Sequence, residues 1–176
     1  MNRPSRLLLS LLSLCLLLAV GGCTTETEVA QPQRTQDTQD TQEQSDQNFD
    51  ALLAYAEAER ATIPAFLSQY PDVYESVVVT GSIEEARATL GAPAGIYSTI
   101  EFDYTYAARV DWGTYIPGLD SQRAEIDALC TDAIFPAMRQ AGITGPLLVV
   151  YTYGDGHSPD GGRSPFPAWE HACWSR

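Results

Sequence analysis

The chain has 176 residues, ten of them basic and 23 acidic, so its formal net charge is −13 at neutral pH. Because nucleic-acid backbones are bound by basic surfaces, this balance argues against nucleic acid as a partner. All ten basic residues are arginine, and the absence of lysine excludes P-loop phosphate sites, Schiff-base chemistry and serine–lysine dyads.

The N-terminus has the pattern of a targeting segment. The basic segment MNRPSR precedes an apolar run from Leu7 to Val20, which is too short for an ordinary membrane-spanning helix of about 20 residues. The run ends in Val20-Gly21-Gly22-Cys23, which resembles the lipobox of bacterial prolipoproteins, in which the cysteine becomes the lipidated N-terminus. We therefore predict a signal peptide at residues 1–22, a lipid on Cys23 and a location on the extracytoplasmic side of the cell membrane. The alternative is an ordinary secretory signal that happens to contain a cysteine.

The segment after this cysteine, residues 23–47, is rich in Thr, Gln and Asp and poor in apolar side chains. It buries too little apolar surface to offset the entropy of ordering, which predicts a disordered tether. Removal of residues 1–22 takes away Arg3 and Arg6 and leaves eight basic and 23 acidic residues, a net charge of −15. Because this charge disfavours a basic membrane-binding patch, we expect the lipid to carry the membrane association.

The four cysteines indicate one disulfide. Cys15 lies in the signal segment and Cys23 takes the lipid, so Cys130 and Cys173 remain as a pair in an oxidising compartment. A catalytic thiol would need a neighbouring cation, and neither cysteine has one at a recognised spacing, although His171 is close to Cys173 in sequence.

Residues 48–176 have the length of a single globular domain. Apolar residues at helical spacing predict a first helix that is capped by Asn48 or Asp46 and broken or kinked by Pro64, near Ile63.

A strand and a short helix are predicted next. The run Val73 to Thr80 is typical of a strand, and Ser82-Ile83-Glu84-Glu85 has the capping-box form for a short helix that ends near Gly91. Glu84 and Glu85 are neighbouring carboxylates, and we interpret them as favourable charge in the first helical turn rather than as an acid/base pair.

The clearest strand pattern is EFDYTYAARVDW, residues 101–112, in which apolar and polar residues alternate. The alternation predicts one buried and one solvated face. The apolar face holds Phe102, Tyr104, Tyr106, Ala108, Val110 and Trp112, and the polar face holds Glu101, Asp103, Thr105, Arg109 and Asp111.

The second half of the domain predicts a helix and two strands. A continuous apolar stripe from Asp120 to Ala141 predicts a helix that carries Cys130, bends at Pro136 and stops at Gly142. The run Leu147 to Tyr153 is apolar on both faces, which predicts an interior strand, and Phe166 to Trp174 is expected to return as an edge strand. The fold class is therefore α+β, with amphipathic helices on one face of a small, mostly antiparallel sheet and one disulfide.

Four segments together resemble a family of small lipoproteins of Gram-positive bacteria whose folded domain has no assigned function. The segments are AYAEAER, FDYTYAARVD, the helix that ends in AGI, and VVYTYGDG. The resemblance covers most of Ala51 to Gly156 and carries no active-site residue. The segment Gly81 to Ala94 is longer than the corresponding connection of that family, and the disulfide is not a feature associated with it.

A loop after the interior strand holds the main candidates for chemistry. Asp155, His157, Asp160 and His171 are weak candidates for a cation site, since their spacing matches neither a calcium loop nor a helical zinc pair. We favour a turn-forming role for this loop. Its serines lack the G-x-S-x-G setting of a serine hydrolase.

The tyrosines of the two Tyr-Thr-Tyr segments have two interpretations. Tyr104, Tyr106, Tyr151 and Tyr153 form either a core ladder across the sheet, with hydroxyls at the rim, or an exposed aromatic platform for a glycan or a peptide. We favour the core ladder.

The function predicted from these features is a membrane-anchored, non-enzymatic binding or accessory domain of the cell envelope. No cofactor is predicted, and the expected partner is an envelope protein or a glycan. The candidate binding surfaces are the polar strand face with Glu101, Asp103, Arg109 and Asp111, and an exposed sheet edge near Trp169 that is open to strand addition. The alternative is an envelope hydrolase or metal-binding protein that uses the Asp155 to His171 region.

Overall fold

The computed structural model describes residues 34–157 and 166–176, with side chains from residue 44 onward. The predicted signal peptide, the predicted lipidation site Cys23 and the cation candidate Asp160 lie outside the described residues.

A four-stranded sheet and a set of helices make up the domain. The sheet order is β1-β2-β3-β4, in which β2 and β3 are parallel and the other two pairs are antiparallel. This arrangement confirms the predicted α+β class and the mostly antiparallel sheet. The strands are β1 (Tyr74–Glu85), β2 (Ile96–Tyr106), β3 (Leu147–Gly154) and β4 (Trp169–Ser175). The helices are α1 (Arg34–Gln69), α2 (Trp112–Ser121), α3 (Arg123–Leu129) and α4 (Phe135–Gln140), with a 3₁₀ turn at Ala88–Leu90 and a π turn at Cys130–Ile134.

The main core lies between one face of the sheet and the helices. At Gly81 of β1, a Cβ atom would lie 3.3 Å from both the Cγ and the carbonyl oxygen of Leu52, so this glycine permits the close approach of α1. Each large apolar side chain buried there contributes about 1.5–3 kcal/mol of transfer free energy. The buried members include Leu52, Tyr55, Ala56, Val79, Ile100, Phe102, Cys130, Met138, Val149 and Tyr151.

The opposite face of the sheet is only partly covered. The 3₁₀ turn and its neighbours pack there over a smaller apolar cluster. The cluster consists of Leu90, Tyr97, Leu148, Val150 and Ala172. Leu148 and Val150 of β3 are buried on this face, while Val149 and Tyr151 are buried on the other. The predicted interior position of β3 is therefore confirmed.

Helix α1 differs from the prediction at both ends. It begins at Arg34, so residues 34–47 are helical where a disordered tether was predicted, and neither Asp46 nor Asn48 is an N-cap. Of the predicted break or kink at Pro64, the break is wrong, since the helix continues to Gln69. The ring centroid of Phe66, two residues after Pro64, lies 5.5 Å from that of Tyr74 and 6.0 Å from that of Tyr104, and this packing compensates for the missing N–H of the proline.

Strand β1 continues where a helix was predicted. Ser82 pairs with Thr99 and Glu85 with Ile96, so the capping-box segment is part of the β1–β2 ladder. A capping box is only a local preference for a helix. The ladder with β2 outweighs this preference because the ladder provides hydrogen bonds for the backbone of every second residue in the segment. The predicted helix is reduced to the 3₁₀ turn, which does end at Gly91, in the left-handed region with φ 71°.

The predicted helix from Asp120 to Ala141 is divided, and it is preceded by α2, a helix that the sequence patterns do not predict. The backbone turns at Gln122, and a π turn directly precedes α4, where Pro136 lies in the first turn. The proline cannot donate a helical hydrogen bond, which accounts for an irregularity at this place. Gly142, with φ 91°, ends the helix as predicted.

The disulfide prediction is confirmed. Cys130 is fully buried and Cys173 is almost fully buried. They form a disulfide with 6.4 Å between their Cα atoms. The bond joins the π turn to the edge strand β4 across a sequence separation of 43 residues.

Candidate functional site

Aromatic rings of β2 and β3 form a stacked ladder in the main core. The parallel register places Tyr104 beside Tyr153 and Phe102 beside Tyr151. The ring centroids are 4.8 Å apart in the first pair and 5.3 Å apart in the second, and both pairs are stacked. Tyr106 and Tyr151 are buried, while Tyr104 and Tyr153 are half-buried. The core-ladder interpretation is therefore confirmed, and the exposed platform is wrong for these four side chains.

Burial controls the ionisation of these tyrosines. It raises the pKa of Tyr104 to about 12 and raises the pKa of Tyr151 and Tyr153 further. The pKa of Tyr106 is raised by burial and by the neighbouring Tyr115 hydroxyl. The four hydroxyls consequently stay protonated at neutral pH and can donate hydrogen bonds.

At one end of the ladder, the sheet and α2 enclose a cleft of about 370 Å³, which we call the tyrosine cleft. Its described lining contains no charged residue. The sheet contributes Tyr74, Tyr106 and Tyr153, and the other wall is formed by Thr114, Tyr115 and Gln122. Tyr106 has its ring centroid 5.0 Å from that of Tyr74 and 5.5 Å from that of Tyr115, so it joins the two walls. The sequence patterns indicate two of these tyrosines, Tyr106 and Tyr153, but not the cleft, because they do not predict α2.

A second cleft, of about 560 Å³, lies between the loops that follow β2 and β3. The buried Asp155 carboxylate accepts backbone hydrogen bonds from Val110 at 2.7 Å and from His157 at 3.0 Å. Burial alone would raise the pKa of Asp155, but these donors outweigh it and the pKa lies below its usual value. The carboxylate therefore ties the two loops together.

The predicted polar binding face is divided between two places. Arg109 and Asp111 lie beyond the end of β2 and line the second cleft. Glu101 and Asp103 stay on the sheet, where Arg87 is 3.5 Å from the Glu101 carboxylate and Thr152 donates to Asp103 at 2.9 Å. The prediction that all four share one strand face is wrong because the strand ends at Tyr106.

His171, the other cation candidate, is separated from the Asp155 loop and has both ring nitrogens occupied. Arg123 lies 2.7 Å from Nδ1 and Asp127 lies 2.8 Å from Nε2. Since arginine only donates and the carboxylate accepts, Nδ1 accepts from Arg123 and Nε2 donates to Asp127. The contacts leave no nitrogen for a metal or a substrate. Residues 34–157 and 166–176 contain no cluster of three metal-ligating side chains.

Trp169 is buried rather than exposed at an edge. Its side chain is 4% exposed, and its indole N–H donates to Asp120 at 2.9 Å. The Arg123 guanidinium lies 4.7 Å above the ring. The prediction of an edge strand in this segment is confirmed, since β4 ends the sheet, but the odd-numbered residues of β4 face the helices and the Trp169 side chain is therefore not part of an exposed surface.

Arginine side chains cap both outer edges of the sheet. Arg60 donates to the carbonyl oxygen of Val79 at 2.7 Å, and Arg123 donates to that of Glu170 at 3.3 Å. Backbone groups of alternate residues face opposite sides of a strand, and the strand registers place these two carbonyls on the outer sides of β1 and β4. Strand addition is therefore blocked at these positions.

We expect the double variant R60A/R123A to self-associate, because each edge strand then presents a free backbone acceptor. Sedimentation velocity should show dimers and larger species that the unaltered protein lacks at the same concentration. The control is R87A, because the Arg87 side chain is exposed to a similar extent, 45% against 42% for Arg60 and 39% for Arg123. The single variant R60A leaves the contact between Arg123 and His171 in place, so self-association of R60A cannot result from the loss of that contact. Monomers in every variant would contradict the edge-capping role.

Comparisons with known proteins give no relative. No family model, curated protein or solved structure matches the chain. The resemblance to small lipoproteins therefore stays a prediction. Among the helices of the described residues, none combines the length and the apolar character needed to cross a membrane.

Proposed function

We propose that this protein is a non-enzymatic binding domain of the cell envelope, held on the outer side of the cytoplasmic membrane by a lipid on Cys23. The tyrosine cleft is the observation that carries the proposal. A concave site with aromatic walls and a few polar groups is the usual form of a small-ligand site. The domain thus offers a binding surface that needs no catalytic group.

The contacts of the chemical candidates favour binding over catalysis. Asp155 accepts from Val110 in the loop that follows β2 and from the backbone of His157, and both nitrogens of His171 are engaged. These groups hold loops and helices in place. The alternative, a hydrolase or metal-binding protein that uses the Asp155 to His171 region, gains no support from this arrangement.

The sequence around Cys23 supports the anchor. A basic segment, a short apolar run, two glycines and a cysteine follow one another in the order of a lipobox. The C23A variant should move from the detergent phase to the aqueous phase on Triton X-114 partitioning. Equal partitioning of C23A and the unaltered protein would contradict lipid attachment at this residue.

The binding function is tested by photo-cross-linking in native membranes. A p-benzoylphenylalanine at position 115 should capture a ligand, because this side chain lines the cleft and is 44% exposed. Position 70 is the matched control, since Tyr70 is also 44% exposed but is not among the cleft residues. Adducts at position 115 and none at position 70 are expected. The same background at both positions would overturn the proposal that the cleft is the binding site.

A further inference from the structure

We propose that the tyrosine cleft binds a neutral carbohydrate. The inference rests on the proposed binding function and makes it specific by naming the ligand class. It is carried by three properties of the cleft: its aromatic walls, its neutral polar groups and its open floor at Gly118.

The aromatic surface of the cleft comes from the exposed ring of Tyr115 and the half-buried rings of Tyr74 and Tyr153, and hydrogen-bonding groups lie beside it. Tyr115 is edge-on to Tyr106, with an interplanar angle of 80°, and it is exposed to solvent. A sugar ring has apolar C–H faces that pack on aromatic rings and hydroxyls around its rim that need polar partners. Gln122 and the tyrosine hydroxyls supply donors and acceptors of this kind, and the Thr114 hydroxyl, which donates to Asp111 at 3.0 Å, can still accept.

The charge distribution favours a neutral ligand. No described lining residue carries a charge, although acidic residues exceed basic ones by 13 in the whole chain. The adjacent Asp120 and Arg123 are paired with each other at 2.8 Å. A polyanion would meet the repulsion of the acidic domain without a cation in the cleft to receive it.

The size of the cleft fits a short segment of a chain molecule. A volume of about 370 Å³ is near the lower end of the range of small-molecule sites. At Gly118, on the same face of α2 as Thr114 and Tyr115, a Cβ would have no atom within 4 Å, so the floor of the cleft is open. The cleft thus accepts one or two sugar units and not a folded partner.

The test uses the full-length lipoprotein in nanodiscs and isothermal titration with maltohexaose, cellohexaose, mannohexaose and chitohexaose. We expect at least one of these neutral oligosaccharides to bind and oligogalacturonate, the charged comparison, not to bind. Y115A and G118L should each weaken binding at least tenfold, the first by removing an aromatic wall and the second by filling the floor. Y70A, which is altered outside the cleft, should bind as the unaltered protein does.

G118L is expected to fold, because leucine is a better helix former than glycine and a side chain at this position meets no crowding. A loss of binding in G118L therefore cannot be attributed to unfolding. Failure of all four hexaoses to bind, or unchanged binding in both Y115A and G118L, would overturn the carbohydrate inference. If position 115 nevertheless cross-links a protein or peptide in membranes, the binding function stands and only its ligand class is wrong. Absence of both cross-linking and oligosaccharide binding would reject both proposals.

Discussion

Replacement of both Cys130 and Cys173 by alanine should lower the free energy of unfolding by about 4 kcal/mol. The disulfide closes a loop across a sequence separation of 43 residues, and this estimate follows from the chain entropy that the bond removes from the unfolded state. The loss is a large part of the 5–15 kcal/mol that is typical of a domain. The measurement is urea denaturation of the oxidised protein and of the double variant.

Reduction of the unaltered protein is the control for this prediction. If the effect comes from the cross-link, the reduced protein and the C130A/C173A variant should have similar unfolding midpoints. Both cysteines are buried, so each alanine also removes some packing, and the single variant C130A measures that contribution in the absence of the bond. Equal stability of the oxidised protein and the double variant would contradict a stabilising disulfide.

Alkaline unfolding is the second large effect that the structure predicts. A tyrosine in an unfolded chain ionises near pH 10, while the pKa of Tyr104 is about 12 in the folded domain. Between these two values the unfolded chain releases a proton that the folded domain retains, so stability falls as pH rises. Below about pH 10 the contribution of each ladder tyrosine is fully present.

The four ladder tyrosines should act together. Each of them lowers the free energy of unfolding by at most about 1.4 kcal/mol per pH unit. The two buried and two half-buried tyrosines together should therefore lower it by about 3–5 kcal/mol per pH unit above pH 10. Urea midpoints measured against pH, together with tyrosinate absorbance, should show unfolding and ionisation at the same pH. The matched variant Y104F/Y153F keeps the stacked rings without two of the hydroxyls and should lose stability less steeply. Ionisation of all nine tyrosines near pH 10 in a folded domain would contradict the buried ladder.

Local sequence patterns predicted the elements in which burial follows one simple rule from the first residue to the last. The run Leu147 to Tyr153 is apolar at every position but one, and such a run is stable only where both faces are covered. The end of the last helix was also predictable. The N–H of Gly142 bonds to the carbonyl of Arg139, that of Ile143 bonds to the carbonyl of Met138, and the buried side chains of Ile143 and Met138 complete the motif.

The candidate sites were predicted less well than the fold, because each depends on contacts between distant parts of the chain. One wall of the cleft around Tyr106 is formed by α2. The alternation of apolar and polar residues up to Trp112 predicted a strand there, so the start of this helix was not predicted. The burial of the Trp169 side chain on the edge strand β4 was not predicted, because its indole bonds to Asp120, 49 residues earlier. Neither contact has a signal in the local sequence.

The sequence by itself determined the periods of the strands and helices, the cysteine pair, the charge balance and the pattern around Cys23, because these are properties of composition and short-range spacing. Only the tertiary structure decided that Ser82 to Glu85 extends β1, that α1 continues past Pro64 and that Tyr106 joins the two walls of a cleft. In each of these cases a partner strand or ring outweighs a local preference, since a cross-strand ladder or a buried aromatic contact stabilises more than a cap or a helix propensity.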